Sequence, residues 1–497
     1  VSNDNGVTWR GLVTDQTLTV VSKGSDPLNI GVAWMNDFAW DNVFDVTAYG
    51  ANGADAEDDT PAVKAAIEAA RASEKQGGII YFPNGSYYVG ALKLPANLVF
   101  LGESTDNTIL YYNGTGGNMF ESDGDGQTIG HQGFANFSIR LSDDNTRPDS
   151  FFWLGHAWGD EAYDGAIRKP SEFFLYGIDL TYTMDALNEH ETKGTGQQRG
   201  MAIVMLANSR FLVHDSTFTG EEATIAHVYL NEYSSYRNVV CDYDAGYLQS
   251  SAKYNFTEDC TVIGGLQKTG KRDNHGVFAR AFSHIENNRV ENVGSTLNDG
   301  ETYCVEAPSG NFACGTVINA GENTVSISPL NTTLKETSEY DVMYDRMVVR
   351  VVSGRGLGQQ KEVASIDPAT NTITVKGTWD VTPDHTSKVS LFAPLEYVTV
   401  YNNTASNATK GIYLFGNLYD AVAANNVGTD TEGIFVWSAA YDSMDIQDSF
   451  VSIRENKIIG VSPKSHAGNI GMHTQRQLNG AEYYATDIYG VEVRDNQ

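Results

Sequence analysis

Two periodicities run through the chain. Near its start Val63, Ala66, Ile67 and Ala70 recur at helical spacing, which predicts one amphipathic helix over 61–76. Asp59 or Thr60 stands where a cap is needed, Pro61 suits the first helical position, and Gly77-Gly78 marks the stop. Elsewhere short runs alternate apolar and polar residues and break at Gly or Asn, the pattern of half-buried strands. IIYF, YYVG and LVFLG follow the helix directly, and TLTVVS (17–22) is an isolated strand before it.

From about residue 200 the strands come in repeated units: SRFLVHDSTFTG, SHIENNRVENVG, EYVTVYNNTASN, YDAVAANNVGTD and SFVSIRENKIIG. A repeat of one strand group per coil, closed by Asn and Gly, is the mark of a solenoid. Asn287, Asn288, Asn402, Asn403, Asn425, Asn426 and Asn456 fall at matching places. Stacked amides that bond the next coil's backbone explain that recurrence, so these residues are structural.

Between these units runs a second strand series: HVYLNE (227–232), HGVFAR (275–280), ETYCVE (301–306), KGIYLF (410–415) and EGIFVW (432–437). His275 and Glu301 are 26 residues apart and Lys410 and Glu432 are 22 apart, whereas Glu301 and Lys410 are 109 apart. The excess holds NTVSISPL, MVVRVVSG, KEVASIDPATNTITVKG and SKVSLFAP, which predict an antiparallel β-subdomain at 311–395. It could wall one side of a groove, and a polar insertion at 141–200 the other.

The segment 43–103 carries FDVTAYGA, the DDT start of the helix, GGIIYFPNGSYYV and the LVFLGE strand. In these elements it resembles the N-terminal motif of the pectate-lyase-like superfamily, which includes relatives of the family 28 glycoside hydrolases. The resemblance implies an all-β chain, a right-handed parallel β-helix that usually acts on polysaccharide. It implies no catalytic residue, because this motif builds the cap of the solenoid. The expected organisation is an N-terminal extension (1–42), a first part of the β-helix (43–310), the inserted subdomain (311–395) and the β-helix continued (396–497). The chain begins at Val1 rather than Met, which fits a removed leader or a trimmed chain, and ends on VEVRDNQ, a repeat strand with no cap. Further sequence or a partner is expected to cover that end.

Charge narrows the partners. Lys and Arg number 33 against 63 Asp and Glu, a net charge of −30 spread along the chain. Such a field repels nucleic acid and anionic membranes and suits a secreted, monomeric protein acting on polysaccharide. No apolar run is long enough to span a bilayer. Cys241, Cys260, Cys304 and Cys314 form no CxxC pair, which argues against zinc and thioredoxin-like chemistry. Pairing of Cys304 with Cys314, pairing of Cys241 with Cys260, and four buried thiols are all open.

The coil repeat also places chemistry. Matching HGVFAR to ETYCVE superposes Asp273 on Asp299, His275 on Glu301 and Arg280 on Glu306. Neighbouring strands lie about 4.8 Å apart, so carboxyl groups on them can reach the spacing of about 5–5.5 Å or 6.5–9.5 Å that glycoside hydrolysis uses. Asp273, Asp299 and Glu301 are therefore the expected catalytic set of an endo-acting glycoside hydrolase, with Glu301 the acid and Asp273 or Asp299 the base. Lys253, Lys268, Lys271, Arg272, His275 and Arg280 form a basic strip in the same coils. That strip suits a polysaccharide lyase or epimerase acting on uronate chains, and a binding or adhesin solenoid without catalysis is the third reading. Lys253, His275, Arg280 and Glu306 are expected to bind substrate, with Tyr233 and Trp437 as stacking platforms. No cofactor or metal is required, and calcium is the ion the carboxylates would suit.

Overall fold

The computed structural model describes residues 6–10, 17–21, 41–123, 131–143, 146, 148–155, 171–182, 203–205, 209–220, 227–228, 233–243, 248–249, 254–264, 275–294, 300–306, 311–330, 333–337, 347–393, 395–438, 446–460, 470–474, 477–479, 482–484 and 486–497. The fold is a right-handed parallel β-helix with an inserted antiparallel barrel. Compact packing divides the chain into two units, residues 1–252 with 256–267, and residues 253–255 with 268–497.

The first unit opens on helix α1, Thr60–Ala72, whose Val63, Ala66, Ile67 and Ala70 are buried. Asp59 stands at the N-cap as expected, but the side chain that bonds the first turn is that of Asp58. Asp58 accepts from the main chain of Thr60 at 3.1 Å and from the Thr60 hydroxyl. Asp59 instead reaches outward, accepting from the N–H of Asn52 at 2.8 Å and of Tyr88 at 3.1 Å. The helix stops at Ala72, where the Ser73 hydroxyl donates to Ala70 O at 2.7 Å. Gly77 serves the next turn, because a Cβ there would lie 2.3 Å from Asn97 O.

Successive coils stack as parallel strands: Val43–Asp45, Gly78–Phe82, Leu98–Gly102, Gln132–Leu141, Ser171–Tyr182, Ser209–His214 and Tyr233–Arg237. Phenylalanines fill the interior at contact distance, Phe120 lying 4.9 Å from Phe134 and Phe134 4.9 Å from Phe152 between ring centres. The stretch 141–200 is thus not simply a polar insertion, since Ser171–Tyr182 is a regular rung of the sheet.

In the second unit amides hold the stack. The N–H and Nδ2 of Asn288 donate to Asn403 Oδ1, and Asn403 to Asn426, Asn426 to Asn456 and Asn456 to Asn496 in the same way, all at 2.9–3.0 Å. The Asn403, Asn426, Asn456 and Asn496 amides also donate to neighbouring carbonyls, as Asn426 does to Val400 O at 2.9 Å. Buried amides so fully satisfied fix the coil register.

The insertion is a closed antiparallel barrel of strands running from Asn311 to Phe392, around Val325, Ile327, Val349, Val351, Ile373, Val389 and Leu391. Arg350, fully buried, anchors it. Its guanidinium donates to Asn417 O and Leu418 O at 3.2 Å, to Gln447 O, and to Gln360 Oε1 at 2.6 and 3.0 Å. All four cysteines are buried free thiols, which excludes both disulfide pairings. Among the described residues no helix is long and apolar enough to cross a membrane.

Candidate functional site

One sheet of the second unit carries the chemistry. It joins strands β1 (Val277–Ala279), β2 (Glu301–Glu306), β3 (Lys410–Phe415), β4 (Ile434–Ser438) and β5 (Ile470–Thr474), all parallel. Registers run Val277↔Tyr303↔Ile412↔Ile434↔Ile470. The Tyr303 hydroxyl donates to Asn288 O at 2.9 Å and Thr404 O at 2.7 Å inside the coil. Strand alternation then turns Phe278, Cys304, Tyr413 and Phe435 outward, and Arg280, Glu306, Phe415, Trp437 and His473 after them.

Residues at the entry to these strands form a charged row. His275 is in line with Glu301, Glu301 pairs Lys410, and Glu432 is in line with Lys410. Glu301 sits between the His275 imidazole, Nδ1 at 2.6 Å from Oε2, and the Lys410 ammonium, Nζ at 2.7 Å from Oε1. Burial alone would push the Glu301 carboxyl up. The hydrogen bond and charge of His275 and the charge of Lys410 outweigh it and hold the group well below the usual carboxylate range. The surroundings of Glu301 therefore favour the carboxylate over the protonated acid expected of it.

Its partner gains from this. His275 Nδ1 and Glu301 Oε2 lie 2.6 Å apart, a contact that favours a proton on Nδ1. The main-chain N–H of Glu301 points at the same nitrogen from 3.3 Å, the weaker contact. In the neutral ring Nε2 then carries the lone pair. His275 and Lys410 each keep 16% of their side chains accessible. Lys410 Nζ also lies 5.1 Å over the Tyr413 ring, and the Tyr413 hydroxyl donates to the buried Glu432.

Farther along the strands the outward row turns aromatic. Arg280 lies over the Phe278 ring at 5.2 Å. Phe415 stands 5.2 Å from Trp437 and Trp437 5.5 Å from His473 between ring centres. These half-buried rings rise one per coil, a surface suited to the flat faces of sugar rings. Cys304 lies among Glu301, Glu306, Lys410 and Arg280, and burial with the two carboxylates pushes its thiol far up, so it is no nucleophile.

Of the expected site residues, His275, Arg280, Glu301, Glu306 and Trp437 share this face. Asp273, Asp299 and Lys253, with Lys268, Lys271 and Arg272 of the strip, lie outside the described residues. Tyr233 begins a strand of the first unit, and its side chain too lies outside them. Lys410, Tyr413, Glu432 and His473 had no role in the expected site, although the coil offset that aligned His275 with Glu301 leads to Lys410 and Glu432 once the barrel is skipped.

Residues 43–147 match the family model described as rhamnogalacturonase A/epimerase, pectate lyase-like. That segment holds α1 and the first coils and none of the residues of this face. No curated protein matches the chain. Among solved structures the chain is similar to the A-module of mannuronan C-5 epimerase AlgE4 from Azotobacter vinelandii, at 14% identity over 92% of this chain and 99% of that one, TM-score 0.38. It is similar to an exopolygalacturonase from Thermotoga maritima, at 10% identity over 93% of this chain and 96% of that one, TM-score 0.35. A third likeness is the tailspike protein of E. coli bacteriophage HK620, at 10% identity over 94% and 69%, TM-score 0.43.

Proposed function

We propose that this chain, whose first coils are pectate-lyase-like, acts on a polysaccharide of uronic acid residues by removing the proton beside the carboxylate. The observation that carries the proposal is His275 oriented by the ionised Glu301, with Lys410 on the same carboxylate and Arg280 on the same face. Removing a C5 proton needs a base and a positive charge beside the substrate carboxylate, where the enolate develops. His275 Nε2 takes the proton as base, and Lys410 and Arg280 stabilise the charge. The electron pair left on C5 then expels the C4 oxygen, giving a C=C, and that oxygen leaves as an alcohol on taking a proton from the His275 imidazolium or water. Alternatively the pair takes a proton from water on the opposite face, giving the C5 epimer while His275 returns its proton to solvent.

Hydrolysis fits the described residues less well. It needs one carboxylic acid held protonated, and Glu301 is ionised while Glu432 is buried against Tyr413. Phe415, Trp437 and His473 provide subsites on which neighbouring sugar rings stack. We place the enzyme outside the cell, where such polymers are found, as a monomer that needs neither cofactor nor metal because its own cations compensate the charge.

The test is incubation with a panel of polyuronates and neutral polysaccharides. Ultraviolet absorbance from a new C=C, or a changed uronate epimer ratio without cleavage, is expected on polyuronates. New reducing ends without either signal would mean hydrolysis and would overturn the proposal.

A further inference from the structure

Away from the charged row, the second unit exposes another aromatic series where the coils enter a different stack of strands. Tyr254 lies 5.0 Å from Phe282, and Phe282 5.4 Å from Tyr397. Farther on, Tyr419 lies 5.2 Å from Phe450, and Phe450 6.4 Å from Tyr489. Tyr397 is 51% exposed, Phe450 42% and Tyr489 46%.

The backbone under these rings is strained in a repeated way. Phe282, Tyr397, Asp420 and Phe450 have φ of 50°, 55°, 62° and 59°. The left-handed region is uncommon for any residue with a side chain and an outlier for a bulky one. In the next coil Gly490 takes the place with φ 65°. Asparagine or glycine would fill these places with less strain, so the fold bears a cost to turn large rings toward water. Strain repeated at a surface points to a ligand. Gly358 of the barrel bounds the strip, a Cβ there lying 3.7 Å from the Tyr489 ring and 4.0 Å from that of Phe450.

Charge separates this strip from the charged row. None of its members is cationic, and Asp420, in line with Phe450, offers an exposed carboxylate. Such a surface repels uronate and accepts hydroxyl donors. We infer that it is a second glycan-binding surface, which takes a neutral polysaccharide chain by stacking its rings on Phe282, Tyr397, Phe450 and Tyr489. The inference is independent of the reaction assigned to His275, since the ligand carries no carboxylate.

The test is retention of the full chain on insoluble cellulose, mannan and β-1,3-glucan, with Tyr397→Asn, Phe450→Asn and the double variant beside it. Wild type should be retained by at least one of them, and the double variant should lose about tenfold or more in affinity. Its melting temperature should stay level or rise, because asparagine tolerates the left-handed backbone. Retention by none of the three, or equal retention of the double variant, would overturn the inference. So would a drop in melting temperature in both single variants, which would make the rings structural. A concentration-dependent dimer that the substitutions abolish would overturn it in favour of self-association.

Discussion

Glu301→Gln distinguishes two roles for that residue by stability alone. If Glu301 were a protonated acid, glutamine would mimic it closely and cost the fold little. The structure instead puts a carboxylate at 2.6 Å from His275 and 2.7 Å from Lys410, with 7% of the residue exposed. Neutralising it leaves the Lys410 ammonium partly buried and unbalanced, a loss of about 3–5 kcal/mol when a buried pair is broken. Urea unfolding at pH 7 should show that difference as a lower midpoint at unchanged slope. The pH dependence carries a sign as well. The folded-state pKa of Glu301 is depressed below its ordinary value of 4.5, so its contribution is complete above that value and is lost as pH falls through it toward the folded pKa. The gap between wild type and Glu301→Gln should therefore be largest near neutrality and shrink below about pH 4.5. A variant within about 0.5 kcal/mol of wild type at pH 7 would refute the clamp.

Other consequences lie elsewhere in the fold. Asn426→Leu deprives Asn403, Asn456 and Val400 of buried partners and should lower unfolding free energy by about 4 kcal/mol in urea. Arg350→Met strips donors from three buried carbonyls and should cost about 3 kcal/mol or more, read as a lower melting temperature. Trp437→Ala removes a ring between Phe415 and His473 and should raise KM about tenfold with kcat little changed, by initial rates on a polyuronate.

Much of this was legible in the sequence because a solenoid repeats its physics. The offset that aligned HGVFAR with ETYCVE is the observed register, and it brought His275 to Glu301 and Arg280 to Glu306. The asparagines were recognisable because one geometry recurs in each coil. The helix was legible in its apolar stripe and at its Asp58-Asp59 start but not at its end, where Ser73 rather than Gly77 stops it. The state of Glu301 was not legible, since it depends on Lys410, which lies 109 residues away across an inserted barrel. Reading Asp and Glu as a cluster counted like charges, whereas stacking placed the His275 ring and the Lys410 ammonium on either side of the buried one. The outward turn of Tyr397 and Phe450 was equally hidden, because it comes from backbone angles that no pattern of apolar residues encodes.

The most direct test follows the C5 hydrogen of a polyuronate during turnover in D2O, by NMR, for wild type and for His275→Gln. The account predicts that wild type removes that hydrogen, leaving either an unsaturated ring or deuterium at C5, and that His275→Gln does neither while remaining folded. Cleavage by wild type with every C5 hydrogen retained would contradict it.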